Sequence, residues 1–374
     1  MNHNRFIHVI GSGDLGGAEL YAHQLACNQM RLYPDCHPVV VYQKSKGPLL
    51  KHYPRLEKIQ APCRFSLQSA AQFIRLFKHA DRILFHGFYP QLLFLALISN
   101  RNTFYFVHGA RVLSKPASTV IKKTFTHKHR PRFSGVIRRL KKKWLEFALR
   151  HCRQVFAPSD CYREFATSIY KIPEKKIQTC ALGIDTNRFN RDCFSRPIPH
   201  KRVIGCIASF RPIKQLDKLV LAFANLSRQH KATQLYLIGN GEEKPRIKAL
   251  IGKLGLDDKV SLLDATPQIE HYINLFDVFV LPSKFESFSL VLLEAMYLKC
   301  PVIVFSDSGG AAELVEKTQG GLVAKDQNDL VKKIAYLLQN QDIRERVGQQ
   351  GYLAVRSNFQ IEHSTRNLHS LTRA

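Results

Sequence analysis

Short apolar runs of strand length recur along the chain, each followed by a stretch with helical spacing. In the first half they lie at residues 6–10, 37–42, 82–85, 103–107, 154–158 and 176–183, with helical stretches such as 69–79 and 90–99 between them. In the second half they lie at 203–208, 235–238, 260–263, 278–281 and 302–305. Continuous apolar runs bounded by turn residues are the pattern of strands buried on both faces, and alternation with helices predicts parallel α/β sheets. Two such series predict two Rossmann-like domains, residues 1–195 and 196–374, with a linker at 190–200 that carries Pro197 and Pro199. The tail, 358–374, has helical periodicity.

Length agrees with two domains, because 374 residues exceed the roughly 250–300 at which a single core stops growing. Hydrophobic content of 45% with 23% charged residues describes an ordinary globular chain. The longest uninterrupted apolar run, 92–98, is far short of the about 20 residues needed to span a bilayer. The nine cysteines form no C-x-x-C and no Cys/His zinc spacing, and no secretory-signal pattern opens the sequence. Reduced thiols in a cytoplasmic protein are therefore expected.

Charge changes the picture more. The net charge is +27; residues 1–200 hold 33 Lys+Arg against 11 Asp+Glu, and residues 201–374 hold 23 against 18. No nucleic-acid module signature accompanies the basic half, so no nucleic-acid partner is expected and an anionic membrane surface is. Residues 111–153 concentrate fourteen cations against one acid, Glu146. There the run VIRRLKKKWLEFAL places Val136, Ile137, Leu140, Trp144, Leu145, Phe147 and Ala148 on or near one helical face, with Arg138, Arg139, Lys141, Lys142 and Lys143 around the other. Two expectations follow: a basic amphipathic helix on a membrane surface, or a helix with Trp144 in the core and its lysines solvated.

Candidate chemistry concentrates in the stretch 277–294, DVFVLPSKFESFSLVLLE. An apolar strand is stopped by Pro282-Ser283, and a helix begins near Ser289. In an open parallel sheet such a turn lies at the carboxyl edge, where the helix start offers unpaired N–H groups to an anion. Glu286 and Glu294 bracket the turn in an E-x7-E pair. At the other end, GSGDLGGAELYAHQLA opens a helix near Ala18, but its glycines at 11, 13, 16 and 17 do not give G-x-G-x-x-G. Two histidines, His86 and His108, stand just past strand ends.

The run PSKFESFSLVLLEAM, followed by CPVIVFSDSGGAAELV and GGLVAKDQNDLVKKI, resembles the donor-site signature of the retaining glycosyltransferases of family four, which have the GT-B fold: two facing Rossmann-like domains with a cleft. The resemblance covers nearly the whole chain, more strongly over 203–340. It implies that Glu286 faces the donor sugar and that Glu294 holds the ribose hydroxyls of a nucleotide-sugar, UDP- or GDP-linked, while backbone amides of Phe288, Ser289 and Leu290 reach the diphosphate. It implies that Arg211 and Lys214 neutralise the leaving diphosphate, and that Gly239 and Gly241 of IGNGEE lie beside the base. Gly309, Gly310 and Glu313 would form another helix start facing the cleft. In the first half, Gly16 and Gly17 of GGAE would let the backbone approach the diphosphate, and His108 of VHG, ranked above His86, would orient sugar and acceptor. His108 and Glu286 are thus the expected catalytic residues, and the tail would cross back onto the first domain.

Departures from the family pattern are Leu182 for Asn, Gln215, Ser287, Ser289 and Lys299 for Gly, and an Arg211 nearer to Lys214 than usual. No D-x-D occurs, so no metal and no other cofactor is expected. By resemblance the activity is glycosyl transfer with retention to a glycan or lipid-linked acceptor, as in lipopolysaccharide or surface-polysaccharide synthesis, on the inner face of the cytoplasmic membrane. The alternatives are a nucleotide-sugar epimerase of GT-B architecture and a basic membrane- or nucleic-acid-binding protein with a degenerate site.

Overall fold

The computed structural model describes residues 4–12, 16–44, 48–109, 134–189 and 201–373. The chain forms two compact units, Met1–Leu182 with Ile361–Ala374, and Gly183–Gln360. The expected domain boundary at 195/196, the linker at 190–200 and residues 111–133 of the basic stretch lie outside the described residues.

The first unit holds seven strands: β1 (Asn4–Ser12), β2 (Cys36–Lys44), β3 (Glu57–Gln60), β4 (Arg82–Phe85), β5 (Thr103–Phe106), β6 (Gln154–Ala157) and β7 (Ile177–Thr179). Their order is β3-β2-β1-β4-β5-β6-β7, and every pairing is parallel. The order reverses direction between β1 and β4, the switch point at which open α/β sheets leave a crevice. The terminal helix Ile361–Arg373 belongs to this unit: Ser364 Oγ and Tyr21 hydroxyl are 2.6 Å apart, Asn28 donates to Thr365 Oγ1 at 2.8 Å, and His369 stacks on Tyr33.

The second unit holds β8 (Arg202–Ile207), β9 (Thr233–Ile238), β10 (Val260–Leu263), β11 (Val278–Leu281), β12 (Val302–Phe305) and β13 (Gly321–Ala324). The order is β10-β9-β8-β11-β12-β13, again all parallel, and the switch point falls between β8 and β11. Helix Leu216–Gln229 buries the expected face, with Leu216, Leu219, Val220 and Phe223 at 2% exposure or less. Each such full burial contributes about 1.5–3 kcal/mol. At the amino end of β11, the buried Asp277 carboxylate accepts from Val203 N at 2.8 Å and from Arg202 at 3.1 Å, fixing β8 to β11 at the edge opposite the loops that carry the candidate site.

Every strand expected from the apolar runs is present. The two that the runs did not announce, β3 and β13, are edge strands, short and mostly half-exposed. Covered on fewer sides, they do not need a continuous apolar run.

Candidate functional site

In the second unit the expected residues gather at the carboxyl edge. The chain leaves β8 through Ser209 and Arg211 into a single tight turn, Pro212–Lys214, before helix Leu216–Gln229 starts. Arg211 Nε donates to Ser209 Oγ at 3.0 Å. Leaving β11, the chain passes Pro282 and Ser283 to Glu286, whose backbone bridges to Gly309: Glu286 N donates to Ser308 O and Gly310 N to Glu286 O, both at 2.9 Å. Gly309 is required there, having φ +65° and Phe285 ring atoms 2.7 Å from where a Cβ would stand. This frame aims the Glu286 carboxylate at the Lys214 ammonium, with which it forms an ion pair across the switch point.

Helix Leu290–Tyr297 begins after Ser289, whose side chain makes no cap bond. The first amides of the helix thus have no intrahelical acceptor and point at the same edge. The side chains nearby divide the work. Phe288 is buried and packs on Phe359, so only its backbone faces outward chemistry. Glu294, one turn in, is 5% exposed and pairs with Arg188 at 3.3 Å. Burial pushes its carboxyl above the usual range and Arg188 pulls the other way. Arg188 ends the turn Thr186–Arg188, capped by Asp185, and lies over the Phe189 ring. It was not among the expected residues; its signal is a cation inside the ALGIDTNRF turn.

Gly239 and Gly241 answer to packing first. With φ +149° and +156°, their missing Cβ atoms would stand 1.9 Å from Ala208 O and 2.2 Å from Phe210 O. The 239–243 loop thereby lies flat on the loop after β8, a backbone requirement that holds whether or not a base binds beside it.

Three departures from the family's glycines also find a physical account. Gln215 and Lys299 have φ +47° and +59°, left-handed conformations that glycine adopts freely and other residues adopt at a cost of about 1–2 kcal/mol. Ser289 has φ −171°, extended backbone open to any residue.

In the first unit, Gly16 is extended and opens helix Gly17–Leu32, accepting from Leu20 N at 2.8 Å, at the carboxyl end of β1. His86 and His108 follow β4 and β5, beside that unit's switch point. They are joined, His86 Nδ1 to His108 Nε2 at 2.9 Å, and the chain runs inward from His86 Nε2 to His8 Nδ1 at 3.1 Å and from His8 Nε2 to Gln29 Oε1 at 2.7 Å. His86 is 4% exposed whereas His108 is half-buried, so His108 is the end of the chain nearer solvent. Burial lowers all three rings: His8 to about 4, His108 to about 3, and His86 well below its usual value. His8 and Gln29 were not anticipated; their signal was a histidine in the middle of the apolar run of β1.

Helix Ser134–His151 departs from the expected apolar face. Leu145, Ala148 and Leu149 are buried, while Leu140 and Phe147 are 61% and 50% exposed. Trp144 is half-buried, edge-on to Phe94 and stacked on Phe147. The side chains of Val136 and Ile137 lie outside the described residues. Between this helix and Pro90–Ser99 runs a groove of about 580 Å³, lined by Phe94, Ile98, Trp144 and Phe147 and rimmed by Arg101 and Arg153. Among the described residues no helix is long and apolar enough to cross a membrane.

Two family models match the chain: one described as Glycosyltransferase Family 4 over residues 15–188, and one described as Glycosyl transferases group 1 over 190–354. The chain is 29% identical over 132 residues to an uncharacterized glycosyltransferase of Haemophilus influenzae, covering 35% of this chain and 37% of that one. It is 28% identical over 233 residues to the lipopolysaccharide core biosynthesis mannosyltransferase LpcC of Rhizobium leguminosarum, covering 59% and 63%. The matches thus span about one to two thirds of these curated relatives. Among solved structures, Anabaena HepE in complex with UDP and glucose superposes with a TM-score of 0.77 at 18% identity, covering 100% of both chains.

Proposed function

Since the chain belongs to the glycosyltransferases of family four, built on the GT-B fold, we propose that it moves a sugar from a nucleotide-sugar to a glycan or lipid-linked acceptor with retention of anomeric configuration. The observation that carries this is the placement of charge at the β8/β11 switch point. Lys214 and Arg211 share the turn after β8, Glu286 pairs with Lys214, and a helix start offers amides at the same edge, which supports a diphosphate site there. Glu294, paired with Arg188, is the acceptor for two vicinal ribose hydroxyls, a task that a carboxylate performs with both oxygens. In the transfer the anomeric bond to the diphosphate breaks and the acceptor oxygen bonds that carbon, its proton passing to the departing diphosphate. Protein cations take the part that a metal clamp plays elsewhere, so no divalent ion is required.

That HepE was solved with UDP and glucose, and that the Rhizobium relative is named for lipopolysaccharide core synthesis, both favour this class of donor and acceptor. The surplus of cations in residues 1–200, with exposed Phe94, Ile98, Leu140 and Phe147 beside them, favours an acceptor held at an anionic membrane, reached from its cytoplasmic face.

The test is to supply labelled nucleotide-sugars with membrane extracts and follow the label. Its appearance in a lipid-linked glycan, with the donor's anomeric configuration by NMR, is expected. Label recovered as an isomerised nucleotide-sugar would instead identify an epimerase, and vesicle binding without turnover would identify a degenerate site.

A further inference from the structure

Four of the eight large hydrophobic side chains that stand exposed among the described residues lie on two neighbouring helices of the first unit: Phe94 and Ile98 on Pro90–Ser99, Leu140 and Phe147 on Ser134–His151. Leu140, Trp144, Phe147 and His151 follow one another at spacings of four, three and four, so they form one stripe along the second helix. The last three of that stripe line the groove of about 580 Å³, with Phe94 and Ile98 on its other wall. Trp144 lies 6.2 Å from Phe94 and 5.5 Å from Phe147 between ring centres, so the apolar floor is continuous. A single exposed leucine needs no account, but a continuous apolar channel does.

The rim has one sign of charge. Arg101 lies two residues before β5, Arg153 immediately before β6 and Lys176 immediately before β7. These strands are neighbours in the sheet, so the three cations arrive together at its amino edge. Local bonds hold two of them there: Arg153 donates to Asn102 Oδ1 at 2.5 Å and Lys176 to Cys152 O at 2.8 Å. An ammonium has three N–H donors, so one carbonyl does not exhaust Lys176. No carboxylate lines the groove among the described residues.

An apolar channel that ends in cations fits a molecule apolar at one end and anionic at the other. We propose that this groove binds one anionic glycerophospholipid of the bilayer, with an acyl chain along Phe94, Ile98, Trp144 and Phe147 and the headgroup phosphate on Arg101, Arg153 and Lys176. The inference rests on the reading that the protein works at an anionic membrane, and it names the contact. The lipid is not the acceptor. An acceptor has to present its hydroxyl at the carboxyl edge, and β5, four residues long, separates the rim from that edge by on the order of 13 Å. The groove is a separate anchor: a charged face alone leaves a protein able to slide and turn on a membrane, whereas a lipid chain held in a groove fixes its orientation.

Trp144 is the chain's one tryptophan, so its fluorescence reports on the groove directly. The full-length protein is titrated with dihexanoyl phosphatidylglycerol and dihexanoyl phosphatidylcholine, both below the concentrations at which they form micelles, and with glycerol 3-phosphate. The phosphatidylglycerol is expected to shift Trp144 emission saturably to shorter wavelength, and glycerol phosphate, which has no chain, to leave it unchanged. Phosphatidylcholine should bind at least roughly fivefold more weakly, and Arg101→Gln should weaken phosphatidylglycerol binding by roughly fivefold, the effect of one cation near an anionic headgroup. Ile98 is 59% exposed, so Ile98→Asp should leave the thermal melt unchanged while it abolishes binding of both lipids. On phosphatidylglycerol vesicles whose acyl chains carry bromine, Trp144 should be quenched in the wild type and not in Ile98→Asp. No saturable shift, or equal affinity for the two lipids, would overturn the proposal. Wild-type protein that sediments with the brominated vesicles while Trp144 stays unquenched would overturn the groove and leave membrane attachment standing. Binding of the monomeric lipid without any binding to vesicles would overturn the bilayer phospholipid as occupant, and the membrane reading with it.

Discussion

Lys214 Nζ and Glu286 Oε1 form an ion pair that joins the turn after β8 to the turn after β11, with side chains only 14% and 15% exposed. Residues 72 positions apart in sequence meet at the one place where the sheet order reverses. An ion pair this enclosed contributes little net stability, because desolvation offsets attraction; the proposed function gives each charge a role toward a bound donor instead.

Lys214→Ala is therefore expected to lower turnover more than donor affinity. A cation that meets charge growing on a leaving group acts mainly in the transition state, and losing one such contact costs roughly a hundredfold in kcat. Steady-state kinetics beside calorimetric donor titration separates the two. Turnover within twofold of wild type (roughly 0.4 kcal/mol) would make the pair decoration.

Arg188 sets a pH dependence. In the proposed site Glu294 would accept from ribose hydroxyls as a carboxylate; burial raises its pKa and Arg188 lowers it. Donor affinity should thus weaken as pH falls through the Glu294 pKa, which lies above 4.5, and in Arg188→Ala this loss should begin at higher pH. For stability the sign is opposite. A raised carboxyl pKa contributes stability below the unfolded value of 4.5 that is lost as pH rises through the folded value. Glu294→Gln should consequently be no less stable than wild type near neutral pH while binding donor more weakly, by roughly 1.5–3 kcal/mol. Donor affinity against pH, with thermal melts of the same samples, checks both; an acid limb unmoved by Arg188→Ala would remove Arg188 from the site.

The left-handed Gln215 and Lys299 predict a gain. Replacing either with glycine removes a backbone cost of about 1–2 kcal/mol, partly offset by about 0.5–1 kcal/mol of glycine entropy. Lys299→Gly also loses the contact of its ammonium with the Tyr352 ring, so Gln215→Gly should give the cleaner rise, on the order of 2–4 °C per kcal/mol in Tm. Val at either position should lower Tm.

These two residues show what was legible in the sequence. The alternation of apolar runs carried the parallel sheets because central strands are buried on both faces, whereas Glu286 and Glu294, which flank one strand-to-helix turn, were picked out by the resemblance of the surrounding run PSKFESFSLVLLEAM to the family-four signature and not by their spacing alone. Edge strands β3 and β13 were silent because half-exposed residues need no apolar pattern. Arg188 and Gln29 were silent for another reason: each meets a partner distant in the chain, Glu294 or His8, and no local spacing encodes such a meeting. The glycine substitutions looked like simple departures until φ showed that Gln215 and Lys299 keep the glycine's conformation while Ser289 has no need of it.

Membrane attachment makes a separate prediction. Each cation near an anionic surface contributes about 1 kcal/mol within a Debye length, so vesicle binding should fall steeply with salt. A remainder that resists salt is expected from Phe94, Trp144 and Phe147, and Phe94→Ser with Phe147→Ser should shrink it. Sedimentation with anionic and neutral vesicles at low and high salt reads this out; equal partitioning onto both lipids, or none onto either, would deny residues 111–153 a membrane role.

A nucleotide-sugar site at the β8/β11 edge is tested most directly by calorimetric titration of wild type and Glu294→Ala with a panel of UDP- and GDP-sugars. One donor should bind the wild type, and the variant should bind it at least roughly tenfold more weakly, as expected from losing charge-assisted hydrogen bonds of about 1.5–3 kcal/mol. Equal affinity in both proteins, or no heat with any donor, would contradict the account.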